Sequence, residues 1–491
     1  MNSYRNEQES QLTQFERNNG LKLKTLMLVS ALAIASSASA SNSAGTDLHE
    51  TINTGPDSHH SSRISDVPGG KLKTEGYPSR PKPIIEWGPN YLGNGVITRG
   101  YELPGGAVWQ PRLMVYGTYR GALQSFHQNN ETASEWANGL DLFANLQLSG
   151  SERFVLGIQP LQEDGRFSSY QFESGEAGWT GESDLGVTTF FFEGDFGEIF
   201  PNLDTGDKKR YDLGFTIGRQ SLNYQAGMLI NDRMDIFGVT RNTLAPTNWA
   251  DLQVSFVFGW NDIHRGDNHE GEDNKLFALL FALDRNAATN NLDFVYVQDR
   301  EDTDGKDSGF FWGISDVRRI GHYNLSTRLL GSHALDDEST AVGNGNLLFA
   351  ELSWTPAWTH DNVYVNGFIS VDDFTSAARD PAAGGALGQT GILFQAVGLG
   401  TYGAALGSEA NSSVGGVIGY QLFIDPYLNQ FIFELGVRKK AISGGGTSVA
   451  GGVRYRHRIG QHSVVQVDFF TAVYESSTTD HGGRLEWLYQ F

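Results

Sequence analysis

The chain has 491 residues, no cysteine, and 57 acidic against 36 basic residues, a formal net charge of −21. The missing thiols exclude disulfides, thiolate metal sites and a lipidated amino-terminal cysteine, and the acidic balance argues against nucleic acid as a partner. After residue 40 no apolar run is long enough for a membrane helix, so 60 glycines and 12% aromatics leave several β-rich soluble domains or one large barrel.

The amino terminus reads as an export signal. Arg17, Lys22 and Lys24 precede the apolar run from Thr25 to Ala35, and Ala38-Ser39-Ala40 supplies a small-residue cleavage motif. Residues 1–40 are therefore assigned as a signal peptide, with the mature chain beginning at Ser41. Residues 41–108 are rich in Gly, Pro, Ser and His without sustained periodicity, and read as a flexible periplasmic extension. His59-His60 is expected to be solvated, so no metal and no cofactor is assigned. Trp87-Gly88-Pro89-Asn90-Tyr91 is the part able to fold back into a pore mouth.

From residue 109 to 491 the chain is a succession of alternating segments separated by turn-rich stretches. They run from Arg112–Gln124, Asn138–Leu148 and Arg153–Gln159 to Ser448–Arg458, Ser463–Glu475 and Arg484–Phe491. The count is about eighteen, with sixteen as the alternative. Joins such as Ser149-Gly150-Ser151, Ala245-Pro246-Thr247-Asn248 and Ile459-Gly460-Gln461-His462 are short; Leu161–Leu185, Ile263–Asn274, Glu301–Gly309 and Asp373–Ser412 are long. Sorting of short and long joins to opposite ends predicts an all-β, antiparallel transmembrane barrel with short periplasmic turns and long extracellular loops. Gly194–Tyr211 departs from that pattern, being long where a short turn is due.

The final segment has two distinct faces. Leu485, Trp487, Tyr489 and Phe491 share one parity; Arg484, Glu486 and Gln490 share the other. An ending of the form aromatic-x-Phe resembles the closing strand of bacterial outer-membrane barrels. That resemblance implies recognition of Trp487, Tyr489 and Phe491 by the barrel-assembly machinery of a Gram-negative outer membrane. The glycine often found a few positions earlier is absent, with Leu485 and Glu486 in that area.

Parity also assigns the lumen. In Ser448–Arg458 the residues Val449, Val453 and Tyr455 oppose Gly452, Arg454, Arg456 and Arg458. Charges at mid-depth on the lipid side cost about 2–4 kcal/mol, so the arginines must face inward. By the same rule Arg438, Arg484, Glu434, Asp468 and Glu486 line the closing wall, with Arg112, Arg120, Gln124, Asp141, Asn145 and Gln147 across from them. Such a wall suits hydrated polar solutes, and its arginine surplus would attract anions. The alternative is that these charges pair across strands and only stiffen the wall. Acidic loops such as Glu301-Asp302-Thr303-Asp304 and Asp336-Asp337-Glu338 account for much of the net charge. They offer divalent-cation bridges to lipopolysaccharide, or simple solvation. Asp373–Ser412 is long and apolar in places, and is expected either to constrict the pore or to cap it.

At Phe215-Thr216-Ile217-Gly218-Arg219-Gln220-Ser221-Leu222 the chain resembles the alginate-export type of outer-membrane porin, in which a strand ends Gly-Arg-Gln-x-Leu before a polar loop. Asn223–Arg233 would be that loop, with Asp232 and Arg233 as its charged residues. The resemblance implies an eighteen-strand barrel with an arginine-lined lumen for an acidic saccharide or a small anionic solute. The leading function is thus a passive or substrate-selective channel. The rivals are a blocked structural or adhesive barrel and a barrel enzyme. His127, His322, His333 and His462 are scattered and none sits in a nucleophile motif, so no catalytic residue is assigned.

Overall fold

The computed structural model describes residues 81–88 and 100–491, apart from short stretches at 129, 164–165, 173–176, 182, 204–210, 247–248, 267–269, 272, 301–305, 381–382, 396–398, 401, 425–427, 442–445 and 476–478. The signal peptide, His59-His60, Pro89-Asn90-Tyr91 and the acidic run Glu301–Asp304 lie outside the described residues.

Eighteen antiparallel strands form a closed barrel. They are β1 (Arg112–Gln128), β2 (Glu131–Gln147), β3 (Arg153–Ile158), β4 (Val187–Asp195), β5 (Gly214–Tyr224) and β6 (Ile230–Arg241). Next come β7 (Asp251–Asn261), β8 (Lys275–Arg285), β9 (Ala288–Gln298), β10 (Gly309–Ile320), β11 (Tyr323–Ala334) and β12 (Gly345–Trp354). The last six are β13 (Asn362–Phe374), β14 (Ser413–Ile424), β15 (Asn429–Lys440), β16 (Thr447–Ile459), β17 (Ser463–Tyr474) and β18 (Thr479–Gln490). Each strand pairs with its sequence neighbour, and β18 pairs with β1 from His481↔His127 to Gln490↔Thr118. Closure leaves no long free edge, the usual hazard of a sheet this size. All eighteen segments expected from alternation are present.

The two-faced pattern explains the burial. On the outside Leu435 is 67% exposed, Phe469 56% and Val449 54%, whereas their inward neighbours Glu434 and Asp468 are 2% and 6% exposed. An apolar exterior and a polar interior wall are what a membrane-spanning barrel requires.

Loop lengths follow the expected sorting with two departures. The β8–β9 and β10–β11 joins are two residues long, the second turning through Gly321 at φ +61°, a conformation that favours glycine. At the opposite end, where long loops are expected, β1 and β2 stay paired out to Gln128↔Glu131, and β5–β6 is joined by five residues, 225–229. The loop expected over Asn223–Arg233 is therefore largely strand: Asp232 lies in β6 and is buried, accepting hydrogen bonds from His264. The long β4–β5 join holds helix α1 (Phe196–Ile199), capped by the Asp195 carboxylate, which accepts the N–H groups of Gly197 and Glu198, then a single turn at Pro201–Leu203.

Part of the amino-terminal extension has structure. Ile85–Trp87 pairs with β1 in the register Ile85↔Val115 to Trp87↔Leu113. It continues the line of β18, and Phe491, the residue after β18, exchanges backbone hydrogen bonds with Gly117. Tyr101–Glu102 and Val108–Trp109 form a small hairpin whose tip, Gly105-Gly106, presses against Phe200 and Asn202.

The inward wall is not polar all round, contrary to the expectation of a continuous polar lining. Leu276, Ala278 and Leu280 of β8, Val295 and Val297 of β9, Phe311 of β10, Leu330 of β11 and Leu347 and Phe349 of β12 are buried. They pack with Met228 and Leu229 of the β5–β6 join and with Leu387, Leu393, Phe394 and Leu406 of the β13–β14 join. Two connections fold into the barrel and turn half of its inside into an ordinary hydrophobic core.

Candidate functional site

The polar half of the interior is a chain of ion pairs across β16, β17, β18 and β1. Arg454 Nε lies 2.6 Å from Asp468 Oδ1, and Arg484 reaches Asp468 Oδ2 at 2.7 Å. Arg484 also meets Glu486 at 3.3 Å, and Glu486 meets Arg120 at 2.5 Å. The register dictates this: Arg454↔Asp468 and Asp468↔Arg484 are directly opposite pairs, whose side chains share one face. Arg456 extends the chain by donating Nε–H to Gln466 Oε1 at 2.7 Å, and Gln466 donates to Asp468 at 2.7 Å. Arg454, Asp468, Arg484, Glu486 and Arg120 are all buried, so charge-assisted hydrogen bonds must offset their desolvation. Within this network four arginines (120, 454, 456, 484) meet two carboxylates (468, 486), and buried Asp480 of β18 and Glu135 and Asp141 of β2 lie on the same inward face. Most of these arginines thus pair across strands.

The remaining candidates fall elsewhere. Arg458 donates to Gly460 O at the short-turn end, and Arg112 stands half-buried at the start of β1 opposite Gln147. Glu434 and Arg438, both 2% exposed, are taken up by the in-folded β13–β14 join. Glu434 accepts the N–H of Leu393 at 3.0 Å and the hydroxyl of Tyr364, while Arg438 donates to Leu406 O at 2.9 Å and Glu409 O at 2.7 Å.

This join, whose sequence left constriction and cap undecided, folds inside the barrel along the wall from β13 to β2. Asn366 of β13 donates to Thr390 O, and the Phe394 ring stands edge-on to Phe368 of β13 at 5.4 Å. Leu399 packs on Ala122 of β1 and Ala137 of β2, and Gln124 of β1 donates to its carbonyl at 2.6 Å. Tyr402 sits between Phe126 and Phe470 and beneath the Arg484 guanidinium, 5.5 Å from its ring centroid. Burial, reinforced by Asp468, pushes its hydroxyl pKa up, so it is neutral at any physiological pH. Tyr474 of β17 donates to Ala405 O at 2.9 Å. At the root of the join, fully buried Arg379 donates to Ser376 Oγ at 3.0 Å and to Gly227 O. Burial pulls its pKa down to about 10, against the pull of Asp232 and Asp380, which leaves it charged near neutrality.

In the resemblance motif Gln220 lies on the inward parity, opposite buried Met234, but Arg219 does not face the lumen. Arg219 shares the outward face with Ile217 and Phe190, and its guanidinium bonds Asp235 at 3.1 Å and meets Asp262. Gln220 donates to Thr216 at 3.0 Å, and Gly218 (φ +121°) comes against the Phe190 carbonyl. Trp487, Tyr489 and Phe491 form one outward aromatic row with ring centroids 5.8 and 5.9 Å apart, and Tyr119 of β1 joins it at 5.8 Å. Tyr364, Asn366, Thr390 and Tyr402 escape sequence reasoning. Only the glycine-rich, partly apolar composition around them hints that this join is buried rather than solvated.

No protein-family model matches the chain, and no curated protein matches it in sequence. Solved structures do. OpdK of Pseudomonas aeruginosa, determined with vanillate, superposes with a TM-score of 0.51 at 11% identity, covering 77% of this chain and 98% of that one. A BenF-like porin from Pseudomonas fluorescens Pf-5 gives 0.51 at 11% over 77% and 98%. Pseudomonas aeruginosa OpdO gives 0.50 at 11% over 77% and 97%. The fold is that of the outer-membrane porins. At such identity the shared property is the fold, and the alginate-export resemblance finds no counterpart among these structures.

Proposed function

We propose that this chain is an outer-membrane channel of a Gram-negative bacterium, passing small polar solutes with a preference for anions. The carrying observation is a closed barrel with an apolar exterior whose inner wall holds an arginine-rich network of ion pairs across β16, β17, β18 and β1. A substrate class of this kind fits the vanillate bound to OpdK, and it includes the acidic saccharide implied by the alginate-export resemblance. Export through residues 1–40, folding by the barrel-assembly machinery acting on Trp487, Tyr489 and Phe491, and contact with lipopolysaccharide belong to the same proposal. The test is single-channel conductance of the purified protein in a planar bilayer, with ion selectivity compared between wild type and Arg454→Ala/Arg456→Ala. Anion preference that weakens in the variant supports the arginine-guided pore; selectivity that does not change leaves a porin with structural arginines. A second reading, a non-conducting barrel, draws on the β13–β14 join packed inside the barrel. A folded protein that passes no current would establish it.

A further inference from the structure

His127 of β1 and His481 of β18 come from the two ends of the barrel sequence. They stand directly opposite each other in the ladder that closes the barrel. Their ring centroids are 5.4 Å apart and the rings are tilted by 30°. Both histidines lie on the outward parity of exposed Leu123, Leu485 and Trp487, at the end of the ladder away from Phe491. One step nearer the apolar belt, the Ser125 and Ser134 hydroxyls bond at 2.7 Å, so the outer wall turns polar at this height. Thr132 of β2 and Thr471 of β17 flank the pair, giving a row Thr132–His127–His481–Thr471 across four strands. Nδ1 of His127 bonds Thr132 Oγ1 at 2.9 Å, which leaves Nε2 of that ring for another partner.

Neutral imidazole is a strong ligand for zinc, copper and nickel. Two imidazoles sharing one tetrahedral zinc ion, with Zn–N bonds of about 2.0–2.1 Å, have ring centroids about 5 Å apart. The observed separation is close to that. We propose that His127 and His481 form a two-histidine site for a divalent transition-metal ion such as Zn²⁺, with water in the remaining positions, clasping the first strand of the barrel to the last. Neither histidine belongs to a sequence motif, and only closure of the sheet brings them together. The site stands on the fold and does not depend on what the lumen passes.

The experiment uses the full chain, folded in detergent micelles and stripped with EDTA, and titrates it with Zn²⁺ alone. Modification of each histidine by diethyl pyrocarbonate is read by mass spectrometry. In wild type, Zn²⁺ should protect His127 and His481 with one shared midpoint. Protection of His127 should be lost in His481→Ala, and that of His481 in His127→Ala, while His333, on β11, keeps its reactivity throughout. Because the two ligands meet only in the closed barrel, Zn²⁺ at about 100 times the midpoint should favour the folded state in urea by about a hundredfold. Neither variant should gain this. Absence of protection, separate midpoints for the two rings, protection of His127 that survives His481→Ala, or a wild-type unfolding equilibrium indifferent to zinc would each overturn the site. If an alanine variant does not fold, His481→Gln takes its place and the shared midpoint in wild type still decides.

Discussion

Asp468 is the residue on which the inner wall depends. It is buried between Arg454 and Arg484 and bonded to both, so Asp468→Asn would leave two guanidinium groups out of water and facing a neutral amide. Breaking a buried pair in this way costs about 3–5 kcal/mol, against about 0–1 kcal/mol for Arg219→Ala at the outer rim. Urea unfolding in lipid vesicles should separate the two variants cleanly. Asp307, in the β9–β10 loop, offers a pH-dependent contrast. Burial raises its carboxyl pKa, but hydrogen bonds from Ala341, Ser339 and Thr340 and the nearby Arg265 charge outweigh that and hold it low. A depressed carboxylate contributes stability above its unfolded pKa, near 4, and loses it as the pH falls through the folded value. The protection factors of the Thr340 and Ala341 amides, taken relative to intrinsic exchange at each pH, should therefore be flat above about pH 4 and fall below it. Loop protection that is indifferent to acid would show that the Asp307 contacts do not hold the loop.

Among the elements, β3 and β4 are the weak part of the wall. The ladders β2–β3, β3–β4 and β4–β5 each have six residue pairs, whereas β1–β2 has seventeen. Above β3 the wall is finished by Ser169–Gln171 laid on Glu135–Ala137, and Gly178–Thr180 laid on that in turn. Short ladders open at lower free energy, so amides of β3 and β4 should exchange before those of β1 and β2 by native-state hydrogen exchange. Uniform protection around the barrel would contradict this. The same elements show what a sequence can reveal. In β16 the arginines at 454, 456 and 458 settle the inward parity, because charge cannot face lipid. In β8 no such argument exists: Phe277 and Leu279 point out, Leu276, Ala278 and Leu280 point in, and both faces are apolar. Only the arrival of Met228, Leu229 and Leu387 from other parts of the chain explains the inward set. The β5–β6 join was misread for a related reason. Asp232 and Arg233 look like loop residues until His264, more than thirty positions away, supplies the partner that lets the carboxylate be buried.

For the whole molecule, the decisive property is that one part of the inner wall is a polar ion-pair sheet and another a packed core, with the β13–β14 join folded against both. Loosening the core should therefore alter permeation as well as stability. Phe394→Ala, which removes a ring packed against Phe368, should cost about 3–5 kcal/mol of stability and also broaden the distribution of single-channel currents. A stability loss with unaltered current would separate the two. The short strand Ile85–Trp87 has its own consequence at this scale. It occupies β1 directly beyond the point where Phe491 stops, lying in the same line and running the same way as β18. The final strand can slide no further along its partner, because that edge is already taken. Offset between first and last strands fixes the shear of a barrel, and shear with strand number fixes its diameter. The tripeptide thus lies next to the one ladder, β18 on β1, at which the cylinder closes.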